Sequence, residues 1–249
     1  MASWQNLTSD PNSQPAHRYR DAQLAKAHRD PVDDRNPMLV DLARGKRVLD
    51  VGCVNHTTDA YQDPAWLHGQ IVKAASYCLG VDVLEEGVAH LRAAGFNVLR
   101  CDITTEKINE KFDLMICGEV IEHIENIGSI FITASANLST GGRLLITTPN
   151  PYYLNRAWSN LRGRCYDSVD HVSLLFPSGM AELGDRHGLT LISYRGALVR
   201  GARTLMGKSA LRCRSLLGIL LSPEAFCETM IYEFEISGSP RHDNEGVQL

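Results

Sequence analysis

Glu119, Glu122 and His123 stand at positions i, i+3 and i+4, directly after the apolar run Phe112-Asp113-Leu114-Met115-Ile116-Cys117 and Gly118. The run reads as a short buried strand, and the glycine lets the chain turn out of it. If a helix starts at Glu119, all three side chains share one face. Two carboxylates that close repel each other, so one should hold its proton to higher pH than usual. A histidine beside them can take or give a proton near neutrality. The carboxyl end of a central strand is also where open α/β sheets bind ligands.

The elements that must position this cluster follow from the pattern on either side. Arg47 to Gly52 reads as a first strand, Ser76 to Val83 as a second, Phe96 to Cys101 as a third and Phe112 to Cys117 as a fourth. Gly141-Gly142 turns into a fifth, Arg143 to Thr148, ended by Pro149, and Thr190 to Arg195 and Thr229 to Ser237 look like two more. Helical patterns lie between them: Asp63-Pro64 onward through Trp66, Leu67 and Ile71; Glu85 to Ala94 before Gly95; and Glu119 to Leu138. Arg18 to Asp30 and Pro37 to Ala43 suit short covering helices, while the polar stretch before about residue 18 suits a mobile arm. Strands spaced by helices predict an α/β fold, a largely parallel sheet with helices on both faces.

Bulk properties bound the function. With 249 residues and 44% hydrophobic content the chain can bury one large core. Residues 1–45 read as the arm and covering helices, and 46–249 as one domain. A net charge of −4 argues against general nucleic-acid binding. No apolar run reaches the length of a membrane span, and Met1 to Arg20 has no signal-peptide pattern, so the expected location is cytoplasmic. The seven cysteines are scattered without a Cys-x-x-Cys pair, which suits free thiols.

Three consecutive strands end in an acid: Asp50-Val51-Gly52-Cys53, Gly80-Val81-Asp82 and Cys101-Asp102-Ile103. A carboxylate at the end of the second strand can accept hydrogen bonds from both hydroxyls of a ribose. An acid and an apolar wall at the third can frame an adenine. An NAD-type Gly-x-Gly-x-x-Gly would need glycine at 54 and 57, where Val54 and Thr57 stand.

From Arg47 to Arg195 the chain resembles the class I S-adenosylmethionine-dependent methyltransferases. The resemblance rests on Val48-Leu49-Asp50-Val51-Gly52-Cys53, Leu79-Gly80-Val81-Asp82, Phe112-Asp113-Leu114, Gly118 to His123, and Leu138 with Gly141 to Asn150. It implies a Rossmann-like sheet of seven strands with an antiparallel last strand, and S-adenosylmethionine as cofactor. By it, Asp50 and Gly52 border the methionine part, Asp82 and Val83 the ribose, and Asp102 and Ile103 the adenine, with Cys117 at the end of the fourth strand. One departure is that the first loop carries Val54 and His56 where the family alternates glycine.

A second, local resemblance is to RNA 2′-O-methyltransferases that modify the 3′ end of small RNAs. It rests on Glu119, Glu122 and His123, then Thr147-Thr148-Pro149-Asn150, then Asp170-His171 with Phe176 beyond. It implies that Glu119, Glu122, His123 and His171 hold a divalent metal, Mg²⁺ or Mn²⁺, against the hydroxyl to be methylated. Oxygen and imidazole ligands suit those ions. A metal lowers the pKa of a hydroxyl and fixes it for attack. Without one, His171 or His123 serves as general base.

Residues 151–177, rich in Tyr, Trp, Asn and Arg, lie where the class I resemblance implies a substrate lid. Residues 196–228 form a basic and apolar insertion with Arg200, Arg203, Lys208, Arg212 and Arg214, suited to an apolar face docked on the domain or a second copy, to an anionic acceptor or to a membrane surface. The expectation from sequence is an S-adenosylmethionine-dependent O-methyltransferase acting on a sugar, glycan or glycosylated small molecule, aided by the metal, with a homodimer as its assembly. The rivals are a metal-free methyltransferase of a small metabolite with a histidine base, and a degenerate cofactor-binding subunit.

Overall fold

The structure is a computed structural model that describes residues 4–55, 60–198 and 222–236. The strands are β1 (Arg47–Val51), β2 (Tyr77–Asp82), β3 (Val98–Arg100), β4 (Phe112–Gly118), β5 (Leu138–Pro149), β6 (Leu189–Ala197) and β7 (Thr229–Ile236). They form one seven-stranded sheet in the order β3-β2-β1-β4-β5-β7-β6. All neighbours pair in parallel except β7, which runs antiparallel between β5 and β6. This is the Rossmann-like sheet expected from the sequence. Thr229–Ile236 is the strand predicted near the C-terminus, and its predicted end at Ser237 lies outside the described residues, as does most of the insertion with its five basic residues.

Burial on both faces explains the apolar runs. Alternate residues of β1 and β4 serve opposite faces. Leu49, Val51, Met115 and Cys117 join Phe131, Ala134 and Met180 on one side. Val48, Leu114 and Ile116 join Leu39, Ala43 and Ile71 on the other. Helices α2 (Arg35–Ala43) and α3 (Leu67–Ala74) supply the second side. Helix α5 (Gly128–Asn137) and helix α7 (Pro177–Arg186) supply the first, together with α1 (Gln14–Ala27). Helix α4 (Glu85–Ala93) packs Val88 and Leu91 with Val98 of β3, and α6 (Leu154–Leu161) follows β5.

Three expectations change. The N-terminal residues are not a loose arm where they are described: Trp4 opens a 3₁₀ turn and donates from Nε1 to Glu182 at 3.0 Å. Helix α1 begins already at Gln14, and its Arg20 pairs with Glu182 and Asp185 on α7. The helix expected from Asp63 starts only at Leu67, after a 3₁₀ turn at Ala60–Gln62. No continuous helix fills Glu119 to Leu138. Glu119 has a left-handed φ of 55°, Ile121–His123 is a single 3₁₀ turn, and α5 begins at Gly128.

Candidate active site

The loops beyond the carboxyl ends of β1, β2, β3 and β4 enclose a cavity of about 460 Å³. Gly52, Asp82, Val83, Asp102 and Ile103 line it, with Val120 and His123 on the side toward the fourth strand. Gly52 has φ 79°, and a Cβ there would overlap the Val120 side chain, so only glycine fits this turn. The Asp82 carboxylate anchors both neighbouring loops: Oδ2 accepts from the Val54 amide at 2.9 Å and Oδ1 from the Leu84 amide at 3.0 Å. Burial raises its pKa. Asp102 accepts from the amide and hydroxyl of Thr104 at 2.9 and 2.6 Å, bonds that lower its pKa.

The loop after β1 manages without alternating glycines by placing the glycine opposite. Val54 packs against Gly87 in the first turns of α4, where any Cβ would overlap its methyl groups. His56 lies outside the described residues.

Two of the sequence-assigned cofactor residues sit away from this cavity, because strand alternation turns them into the core. Asp50 faces the α3 side, is 4% exposed, and its Oδ2 lies 2.7 Å from Nδ1 of His68. Cys117 faces the α5 side and is wholly buried.

A second cavity, about 350 Å³, opens on the other side of the acidic turn. Asp34, Arg35, Glu119, Arg156, Tyr166, Asp167, Ser168, His171 and Glu228 give it a polar lining of both charge signs. Arg156 of α6 is buried, with Nε donating to the Asn150 carbonyl at 3.0 Å and an ion pair to Asp167. Tyr166 donates to Glu228 at 3.1 Å. Asn150 itself is a structural residue: its Nδ2 donates to the carbonyls of Glu224 and Cys227, each at 2.7 Å.

Between the cavities lies the cluster read from the sequence, built differently. The positive φ at Glu119 turns its carboxylate to an ion pair with Arg35, whose Nη1 also donates to Thr147 Oγ1 at 2.8 Å. Glu122, by contrast, is fully buried. Its Oε2 accepts from Thr148 at 3.1 Å, while Oε1 has no hydrogen-bond partner among the described residues. Burial, then the nearby Glu119, push its pKa up to about 8. The rings of His123 and His171 meet edge-on at 4.8 Å between centroids, and His123 Nδ1 lies 3.1 Å from Asp170. Burial and the neighbouring His123 lower the His171 pKa, which favours the neutral imidazole. The amide of Val172 donates to the Glu122 carbonyl at 2.9 Å, which ties the His171 loop to the acidic turn.

Four ligands were expected from the resemblance, and three converge. One ligand atom each from Glu122, His123 and His171 lies within 4.8 Å of the others. Glu119 is instead held by Arg35, and the one-face helical spacing gives way because no helix forms at that point. Within these residues, Glu122 Oε1 and His171 Nδ1 are buried without a hydrogen-bond partner among the described residues. Unpaired buried acceptors of this kind, an oxygen and an imidazole nitrogen, fit a hard divalent cation. Sequence reasoning did not find Arg35, Arg156, Tyr166 or Glu228 as parts of the site, since none of them belongs to a motif, and it gave Thr148 no role beyond its place in the Thr147 to Asn150 motif.

Comparison with known proteins agrees with the geometry. A family model described as a methyltransferase domain matches residues 17–194. A ubiquinone biosynthesis O-methyltransferase of Dechloromonas aromatica is 31% identical over 149 residues, which cover 54% of this chain and 59% of that protein. The enzyme of the same name from Bartonella bacilliformis is 26% identical over 66% of this chain and 64% of its own length. The chain thus spans about three fifths of these curated relatives. Among solved structures, an S-adenosylmethionine-dependent methyltransferase of Clostridium acetobutylicum superposes with a TM-score of 0.55 at 15% identity, covering 90% of this chain and 98% of that one. The magnesium protoporphyrin IX methyltransferase of Synechocystis, solved with bound S-adenosylhomocysteine, gives 0.55 at 13% identity over 94% and 93%. The likeness in both cases is one of fold.

Proposed function

This chain belongs to the methyltransferase-domain family and carries a domain of the S-adenosylmethionine-dependent class, and from that premise we propose that it methylates a hydroxyl oxygen on a sugar, a glycan or a glycosylated small molecule. The observation that carries the reading is the pair of cavities walled by touching residues: His123 lines the first, His171 lines the second, and the two rings meet. In this reading the first cavity holds the cofactor, with Asp82 at the ribose hydroxyls and Asp102 and Ile103 at the adenine. The second holds the acceptor. Its acids, arginines and tyrosine suit a ring carrying several hydroxyls. The relatives named for O-methylation support oxygen as the accepting atom.

In the transfer, an acceptor oxygen attacks the methyl carbon of the sulfonium. The O–C bond forms as the S–C bond breaks, S-adenosylhomocysteine is the leaving group, and the hydroxyl proton passes to solvent in the metal-assisted reading or to His171 in the metal-free one. Glu122, His123 and His171 would hold Mg²⁺ or Mn²⁺, which supplies a lowered hydroxyl pKa and a fixed oxygen when bound. Glu122 and His171 supply to it the unpartnered atoms described above, and Thr148 orients the Glu122 carboxylate from behind. A second reading uses no metal. It is favoured by the Arg35–Glu119 pair, which removes one of the four implied ligands, and it makes neutral His171 the base that takes the proton.

A methyl-transfer screen over sugars and nucleotide sugars, run with Mn²⁺ and with EDTA, tests both. Transfer that requires the metal and fails in His171→Ala supports the first reading. Transfer in EDTA that still needs His171 supports the second, and no binding of S-adenosylmethionine by calorimetry at millimolar ligand rejects both.

A further inference from the structure

Helix α6 is built inside out. Leu154, Ala157, Trp158 and Leu161 recur at i, i+3, i+4 and i+7, the spacing of a stripe that a surface helix normally turns toward the core. Here the stripe faces solvent: Leu154 is 39% exposed, Trp158 55% and Leu161 80%. The residue that α6 buries is Arg156, which points the other way into the acceptor cavity. A large apolar stripe left in water at the mouth of a site marks a surface that another body covers.

The charge around the stripe says what that body is. From Pro151 to Tyr166 the chain has no acidic residue, while Arg162 and Arg164 are exposed at the end of α6. The Arg162 guanidinium lies 4.3 Å from the centre of the Trp158 ring, so cation and aromatic face the same side. Exposed Trp and Leu flanked by arginine on a short amphipathic helix are the elements of a segment that lies in the headgroup region of a bilayer. A second copy of the chain is a poorer occupant. Three large side chains on one short helix cover far less than the roughly 800 Å² per partner of a stable interface. Leu198 lines the acceptor cavity, and in the sequence Arg200 to Arg214 follow it without an acid.

We propose that α6 docks the enzyme on an anionic phospholipid surface through Trp158 and Leu161, with Arg162 and Arg164 at the headgroups, so that the acceptor cavity meets an acceptor carried at that surface. The part concerning the acceptor rests on the assignment of the second cavity above. The docking itself does not.

The test is cosedimentation of the full chain with phosphatidylcholine vesicles, with and without phosphatidylglycerol. The chain is expected to pellet with the anionic vesicles and to be released at high salt. The double variant Trp158→Asp, Leu161→Asp should lose about tenfold or more of that affinity, and Arg162→Gln with Arg164→Gln should lose the preference for phosphatidylglycerol. Calorimetry with S-adenosylmethionine should be the same for every variant, since none of these residues lines the cofactor cavity. Failure of the wild type to pellet overturns the proposal. So does equal pelleting by the Trp158, Leu161 variant, which would place the contact elsewhere, in residues 199–221 for example. A dimer in sedimentation velocity that the double variant dissolves, with vesicle binding unchanged, would make the stripe a protein interface and also overturn it. Because vesicle binding needs no methyl transfer, its failure leaves the acceptor assignment intact, and failure of the cofactor titration leaves the docking intact.

Discussion

Arg35, in the first turn of α2, holds the carboxylate of Glu119 at the lip of the second cavity, far along the chain from the strand that delivers Glu119. The pair neutralises one of the two acids of the cluster and keeps it apart from Glu122, His123 and His171. Arg35→Met frees that charge. Its expected effect is an Mn²⁺ affinity about tenfold higher, measured by calorimetry on the protein without acceptor, because the carboxylate freed from its ion pair can then turn toward the proposed ion. Unchanged affinity would mean that Glu119 has no part in the proposed metal site.

Glu122 makes stability depend on pH in an uncommon direction. Its pKa rises from the ordinary 4.5 to about 8 on folding, so the folded state binds the proton more tightly than the unfolded one. Its contribution is therefore most favourable below pH 4.5 and is lost progressively as pH climbs to about 8, at about 1.4 kcal/mol for each step of one in pH. In EDTA, urea midpoints of the wild type should fall across that window. Glu122→Gln should remove this part of the decline and be the more stable protein at the alkaline end. If both proteins track each other from pH 5 to pH 8, the carboxyl is not buried as described.

Asp82 joins the loop after β1 to the start of α4 and faces the first cavity. Asp82→Ala removes a charged acceptor from two amides and, in the proposed reading, from the ribose. Hydrogen bonds to charged groups contribute about 1.5–3 kcal/mol each. S-adenosylmethionine binding measured by calorimetry should weaken by about a hundredfold, and Asp82→Asn should lie between the two.

His68 and Asp50 form a buried pair behind the cofactor cavity. His68→Ala strands a carboxylate in the core, which costs about 3 kcal/mol or more. The double variant His68→Leu, Asp50→Asn should recover much of that loss in urea titrations. Equal destabilisation by single and double variants would show that packing against Trp66 and Phe96, not the charge, is what matters.

The sheet was legible because β1, β2 and β4 are buried on both faces and so appear as apolar runs. The apolar pattern overextends β3 at its start, since Phe96 packs with Trp66 and Tyr61 ahead of the strand rather than in it. The acidic cluster was legible as a set of residue types at the end of β4, but its geometry was not. Nothing local announces that Glu119 adopts a left-handed backbone, a choice stabilised by its amide bond to the Thr147 carbonyl at 2.9 Å and by Arg35. The walls of the second cavity were illegible for the same reason. Arg35, Arg156 and Glu228 come from distant segments and meet through tertiary packing, which leaves no period or spacing to read. Position in the sequence puts Asp50 and Cys117 at the site, whereas the pleat turns one toward α3 and the other toward α5.

The contact between Val54 and Gly87 couples two positions that lie on different elements. Bulk on the first loop is admissible only because α4 gives up a side chain beneath it. A chain descending from one with glycine at 54 could not accept valine there first if 87 already carried a Cβ, and a chain like this one cannot regain alanine at 87 while Val54 stands. The two sites therefore fix an order of substitution in sequence space: 87 must shrink before 54 grows, and 54 must shrink before 87 recovers. Val54→Gly combined with Gly87→Ala should be tolerated where Gly87→Ala alone is not, and the order of the two steps decides whether a lineage passes through a folded protein.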